Sequence, residues 1–120
     1  MTALRKFEME AIALMAADVL TAEQMRALES LDHVHEYIYT GSGYFLTLEH
    51  PVLPSEKQTL SLPFVVGNAN DICCGFVAFL GGGKITLECH TWGDLNVPEG
   101  FRDMDVLIST REMNMIDLRS

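Results

Sequence analysis

The stretch from Ile72 to Trp92 constrains this chain more than any other. Ile72 to Leu80 is a nine-residue apolar run bounded on both sides by turn residues, Gly67-Asn68-Ala69-Asn70-Asp71 before it and Gly81-Gly82-Gly83 after it. At that length it predicts a central strand covered on both faces. Beyond the glycines, Ile85, Leu87 and Cys89 alternate with Lys84, Thr86, Glu88 and His90. A period of two predicts a returning strand with one buried face and one face that is wet or occupied by a partner. A hairpin of this kind is stable only as part of a larger sheet with a covering layer.

The rest of the chain supplies both. Leu4, Phe7, Ala11, Ile12, Met15, Ala16 and Val19 recur at three- and four-residue steps and form one apolar helical stripe within residues 3–31. Thr21 stands three residues before Gln24, the form of a capping box, so a second helix is expected from Ala22, carrying Met25, Leu28 and Leu31 inward. One long bent helix is the alternative. Extended segments are expected at His35–Thr40 and Tyr44–Glu49 around a Gly41-Ser42-Gly43 turn, at Leu60–Val66, and at Met104–Ser109. Pro63 places the third of these at an edge or a strand start. His50–Glu56 and Thr91–Arg102 read as loops, and residues 111–120 fit either a strand or a helical turn. The fold class expected is therefore α+β in a single domain, 1–120. An N-terminal helix or helical hairpin packs on one face of a roughly five-stranded antiparallel sheet.

The familiar motifs of chemistry fail one by one. Gly81-Gly82-Gly83-Lys84 is not a phosphate loop: the first glycine would fall at Ala78, the hydroxyl residue at Ile85, and a strand follows where a helix should. Cys73, Cys74 and Cys89 form no C-x-x-C pair, and adjacent strand residues point to opposite faces, so buried reduced thiols are expected. Cys89 and His90 are separated by the same alternation, which denies the thiol a base. His33 and His35 would share a strand face and could be joined by His50 and His90, with Asp32 and Glu36 as orienting groups, but the spacing matches no metal site closely. No catalytic residue, metal or cofactor is expected.

Charge is more informative. The chain carries 8 Lys and Arg against 17 Asp and Glu, a formal net charge of −9. A surface this acidic repels nucleic acid and anionic lipid and suits solubility or a basic protein partner. From Phe7 to Glu56 nine carboxylates face Arg26 alone, a local charge of −8. A second cluster, Asp94, Glu99, Asp103 and Asp105, is relieved only by Arg102 and flanked by Trp92 and Phe101. An acidic loop with aromatic anchors is a candidate docking surface, with Tyr44 a further anchor. The segment after Arg5 and Lys6 is interrupted by Glu8, Glu10 and Asp18, so no secretory signal is read and a cytoplasmic location is expected.

Phe7-Glu8-Met9-Glu10 followed by Tyr39-Thr40-Gly41-Ser42-Gly43-Tyr44-Phe45 resembles a class of small bacterial α+β proteins. Val66-Gly67-Asn68, Gly75-Phe76-Val77 and Ile85-Thr86-Leu87-Glu88 continue the likeness. The ending His90-Thr91-Trp92-Gly93-Asp94 through Phe101-Arg102-Asp103 is similar to immunity proteins of contact-dependent growth inhibition and related polymorphic toxin systems. The resemblance covers about two-thirds of the chain. It implies a non-enzymatic inhibitor that neutralises a cationic toxin domain, such as a nuclease, by direct binding. A different class of function is a small enzyme or ligand-binding domain using Glu88 and His90 near His35 or His50, which requires a deep pocket lined by those groups. A homodimer through the exposed sheet is a third.

Overall fold

In a computed structural model that describes residues 3–111, two helices lie on one face of a six-stranded antiparallel sheet. The elements are α1 (Lys6–Met15), α2 (Ala22–Ser30), β1 (Glu36–Tyr39), β2 (Gly43–Glu49), β3 (Gln58–Ala69), β4 (Ile72–Gly81), β5 (Lys84–Thr91), a 3-10 turn (Phe101–Asp103) and β6 (Leu107–Arg111). The spatial order is β1-β2-β5-β4-β3-β6. The α+β class stands, with six strands rather than about five. The segment from 112 to 120 lies outside the described residues.

Local chemistry accounts for the helix boundaries. The chain breaks between α1 and α2 because Thr21 and Gln24 form the expected reciprocal cap: Thr21 Oγ1 accepts from the Gln24 amide at 3.1 Å, and Gln24 Oε1 accepts from the Thr21 amide at 2.8 Å. The Gln24 side-chain amide also donates to the Val52 carbonyl at 3.0 Å, tying α2 to the loop after β2. At the other end the Ala3 amide donates to the Leu31 carbonyl at 2.8 Å, so the helical pair is closed on itself.

The sheet's inner face is built by alternation. Tyr44, Leu46 and Leu48 on β2 pair with Cys89, Leu87 and Ile85 on β5, and Phe76, Ala78 and Leu80 on β4 continue the same rows. All are buried, against Phe7, Ala11, Ile12 and Met15 of α1 and Leu28 of α2. Phe7 meets Phe76 at 6.2 Å between ring centroids and Phe101 edge-on at 5.8 Å. Gly43 admits the β2–β5 approach: a Cβ there would sit 2.1 Å from the Cys89 carbonyl oxygen.

The expectation for β4 is corrected. It is central, but covered on the helix side only. Cys73 and Val77 on its other face are half-buried and Phe79 is 38% exposed. The apolar run is unbroken because those residues belong to an apolar face left open, not to a second core. The expectation for Pro63 is corrected too: it is neither on an edge strand nor at a strand start, but the sixth residue of β3. β3 lies between β4 and β6, its pairs with β6 among the described residues run from Phe64 to Asn68, and it slips register against β4 between Leu60 and Val65. Pro63 falls inside that slip, where its missing N–H removes no bond of the β3–β4 ladder.

Candidate functional site

The long loop from Trp92 to Val106 connects β5 to β6, which are separated by β4 and β3, and it crosses on the helix side of the sheet. Two residues bury to hold it there. Val97 and Phe101 are fully enclosed in the core. The Val97 carbonyl accepts from the Tyr39 hydroxyl at 2.8 Å, its amide donates to Thr91 Oγ1 at 3.1 Å, and Thr91 Oγ1 in turn donates to the Ser42 carbonyl.

A buried ion pair fixes the loop's far half. Glu8 is completely enclosed, and its carboxylate accepts four hydrogen bonds. Arg102 Nε donates to Oε2 at 2.7 Å and Arg102 Nη2 to Oε1 at 2.8 Å, a bidentate fork. The Tyr44 hydroxyl donates to Oε2 at 2.5 Å and the Arg5 amide to Oε1 at 2.7 Å. Arg102 Nη2 also reaches the Ala3 carbonyl at 2.8 Å, and its guanidinium lies 5.8 Å from the Tyr37 ring centre. Burial works against the Arg102 charge, but the bonds to Glu8 prevail and hold its pKa above the usual value. Burial, reinforced by the adjacent carboxylate, drives the Tyr44 hydroxyl well above the ordinary phenol range. Sequence reasoning missed this cluster. Its one signal was a charged residue on a buried stripe, since Leu4, Glu8 and Ile12 are spaced by fours.

The structure divides the residues expected to form a docking surface. Phe101 is 0% exposed and Tyr44 1%, so neither is an anchor: both are core residues, and that expectation is corrected. Asp94, Glu99, Asp103 and Asp105 are exposed. Asp103 is paired with Arg5 at 3.0 Å, and with Asp105 it lines a shallow concavity of about 650 Å³ together with Arg5, Lys6 and Glu10. Trp92 sits apart, on the open face. The Trp92 amide donates to the Cys73 carbonyl at 2.9 Å, its ring meets Phe64 at 5.0 Å, and the Arg111 guanidinium lies 4.8 Å from its centre.

The histidines do not converge. His33 pairs with Asp32 at 3.1 Å, His35 stands 3.6 Å from Glu49, and His50 Nδ1 accepts the Val52 amide at 3.0 Å. The His90 ring lies over Gly75, where a Cβ would be 2.6 Å from Nε2. No metal-binding group of His, Cys, Asp or Glu occurs among the described residues. Cys74 and Cys89 are buried with a hydrogen bond between them that, with burial, raises the Cys89 thiol well above its usual range. Cys73 is half-buried on the open face, where burial raises its thiol too, so neither environment favours a thiolate.

The open face carries Ile38, Phe45, Thr47, Thr86, Glu88, His90, Val77 and Phe79 in register. Thr47 and Thr86 share a hydroxyl–hydroxyl bond of 2.8 Å. Four concavities, of about 260 to 650 Å³, are lined by other residues than Glu88 and His90. No helix among the described residues is long and apolar enough to cross a membrane. No family model matches the chain, and neither a curated protein nor a solved structure does.

Proposed function

We propose that this protein is a binding protein for a basic protein partner, and that the partner is a cationic toxin domain which it neutralises by occupying its surface. The toxin assignment rests on the resemblance to immunity proteins. The binding chemistry rests on charge. Among the described residues thirteen of fifteen carboxylates are exposed, all but Glu8 and Glu88, while only Lys6, Arg26, Lys57 and Arg111 of seven bases are.

The observation that carries the reading is the inward turn of Arg102. It is the one base within the acidic segment from Asp94 to Asp105, and its charge is consumed by Glu8 in the interior. The surface of that segment is left to Asp94, Glu99, Asp103 and Asp105. Charges of one sign on a fixed loop steer an oppositely charged protein and raise its association rate more than its affinity.

The test is protection. Cells expressing a cationic toxin domain from the same locus survive when the wild-type protein is co-produced, and a D94N/E99Q/D103N/D105N variant gives weaker protection. Raising salt from 50 to 500 mM shortens the Debye length from roughly 14 to 4 Å and slows association by an order of magnitude or more. Undiminished protection by the variant, or an association rate independent of salt, sinks the proposal.

A further inference from the structure

The register places Trp92, Cys73, Asn68 and Leu107 in one row across four neighbouring strands, on the face the helices leave bare. At about 4.8 Å between strands, Trp92 and Leu107 stand roughly 14 Å apart. Both are large apolar residues in the open, Trp92 at 36% and Leu107 at 75% exposure, and Leu95, three residues beyond Trp92, is 49% exposed.

The same end of the sheet is rimmed by carboxylates. Asp71 immediately precedes β4, Asp94 follows Trp92 by two residues, and Asp105 precedes Leu107 by two; all three are exposed. None of the three has an ion pair among the described residues, whereas Asp103, on the helix side, is paired with Arg5. Two of the bases are at a distance. Lys84 pairs with Gly81 at the opposite end of the sheet, where Lys57 also packs. Arg111 is stacked on the Trp92 ring, and Arg5 and Lys6 stand on the helix side of the concavity that Asp105 and Leu107 also line, where Arg5 is already paired with Asp103.

From this juxtaposition we infer that the Trp92–Leu107 end of the open face is the docking surface for a basic protein partner, one that presents an apolar side chain ringed by Lys and Arg. The inference rests on the proposed function and names the contact surface for it. Trp92 is already held against Phe64 and Arg111, so little side-chain freedom is lost when a partner covers it. Tryptophan and arginine are the residues on which interface energy concentrates, and a ring of carboxylates around an apolar centre selects a partner with the opposite ring. A second copy of this chain would bring its own Asp71, Asp94 and Asp105 and meets repulsion there.

The experiment uses the full-length protein and the purified cationic domain encoded beside it, with affinity measured by calorimetry. Leu107→Ser removes an exposed side chain with little packing, and it weakens binding by about 30-fold or more, the effect of a hot-spot residue. Trp92→Ala does the same, and D71N/D94N/D105N slows association and flattens its salt dependence. An E23Q/E29Q variant on α2 binds within about threefold of wild type. If Leu107→Ser and Trp92→Ala bind like wild type while E99Q/D103N does not, the surface is overturned and the capture of a basic partner stands. If the wild-type protein does not bind the domain at all, it is the functional proposal that falls, and this surface with it. If the wild type elutes as a dimer and Leu107→Ser as a monomer, a second copy covers the face and the inference is wrong.

Discussion

Substituting Glu8 by Gln tests the interior of this fold most directly. The carboxylate accepts four bonds, two at each oxygen. A glutamine amide turns one of those oxygens into a donor. With the NH2 on the Oε1 side it opposes the Arg5 amide and Arg102 Nη2, neither of which can accept. With the NH2 on the Oε2 side the Tyr44 hydroxyl can rotate and accept, and only Arg102 Nε is opposed. The second placement is cheaper, yet it still leaves the guanidinium without a counter-charge. Removing one partner of a buried pair costs about 3 to 5 kcal/mol, and the Arg102 side chain, 15% exposed, sits at the lower end of that range. The expected loss is about 3 kcal/mol, a large part of the roughly 5 to 15 kcal/mol that holds a domain together. Taking a urea slope of about 1.5 kcal/mol per molar, the midpoint followed by circular dichroism falls by about 2 M with the slope unchanged. Glu49→Gln, which alters an exposed carboxylate 3.6 Å from His35, is the control and shifts the midpoint by less than about 0.3 M. A Glu8→Gln midpoint within 0.5 M of wild type, at about the same slope, refutes the assignment of Glu8 and Arg102 as a stabilising buried pair.

Three further outcomes follow from the same packing. Tyr44→Phe removes one bond to a carboxylate that keeps its Arg102 and Arg5 donors, so it costs about 1.5 kcal/mol, half the Glu8→Gln effect, in the same titration. Above pH 9 the unfolded chain ionises its cysteines and above pH 10 its tyrosines, while folded Cys89 and Tyr44 stay protonated; the native state then binds more protons, and each group removes about 1.4 kcal/mol of stability per pH unit. Urea midpoints from pH 8 to 11 show that decline, and Tyr44→Phe removes its own share above pH 10. Gly43→Ala drives a Cβ to 2.1 Å from a backbone oxygen and costs about 3 kcal/mol or more, whereas Gly75→Ala meets only the His90 ring and costs about 1 kcal/mol, because a side chain can swing aside. Thermal melts of the two variants order them; equal melting temperatures would contradict the close approach at Gly43.

What could be read from the sequence was what neighbours in the chain decide. The break at Thr21 was legible because both bonds of its cap lie within four residues, and the β4–β5 hairpin because three glycines and a period of two suffice to specify it. The β6 segment was placed at 104–109 and lies at Leu107–Arg111, since its bounds are set by pairing with β3, some forty residues earlier. The open side of β4 was misread because a half-covered apolar face and a buried one are spelled with the same letters. Phe101 was misassigned for a related reason. A loop aromatic between acidic residues looks like a surface anchor unless the path of the loop beneath the sheet is known, and that path is set by Glu8, 94 residues from Arg102.

The Glu8–Arg102 pair also changes what the charge count means. Burying one acid with one base leaves the net charge at −9, but it takes the acid from α1 and the base from the loop. The surface of α1 becomes less negative and that of the loop more so. Arg5 and Lys6 then line one concavity with Asp103 and Asp105, and Arg5 pairs with Asp103, while Asp71 and Asp94 at the bare end of the sheet have no ion pair among the described residues. The internal pair thereby shifts surface negative charge from the helix toward the loop and the sheet end. Breaking it therefore has two effects that can be separated. Glu8→Gln destabilises the fold, and in whatever fraction remains folded it frees an arginine to face the carboxylates of its own loop. That predicts a slower association with a cationic partner even after correction for the unfolded fraction, where a pair of purely structural consequence would leave the corrected rate unchanged.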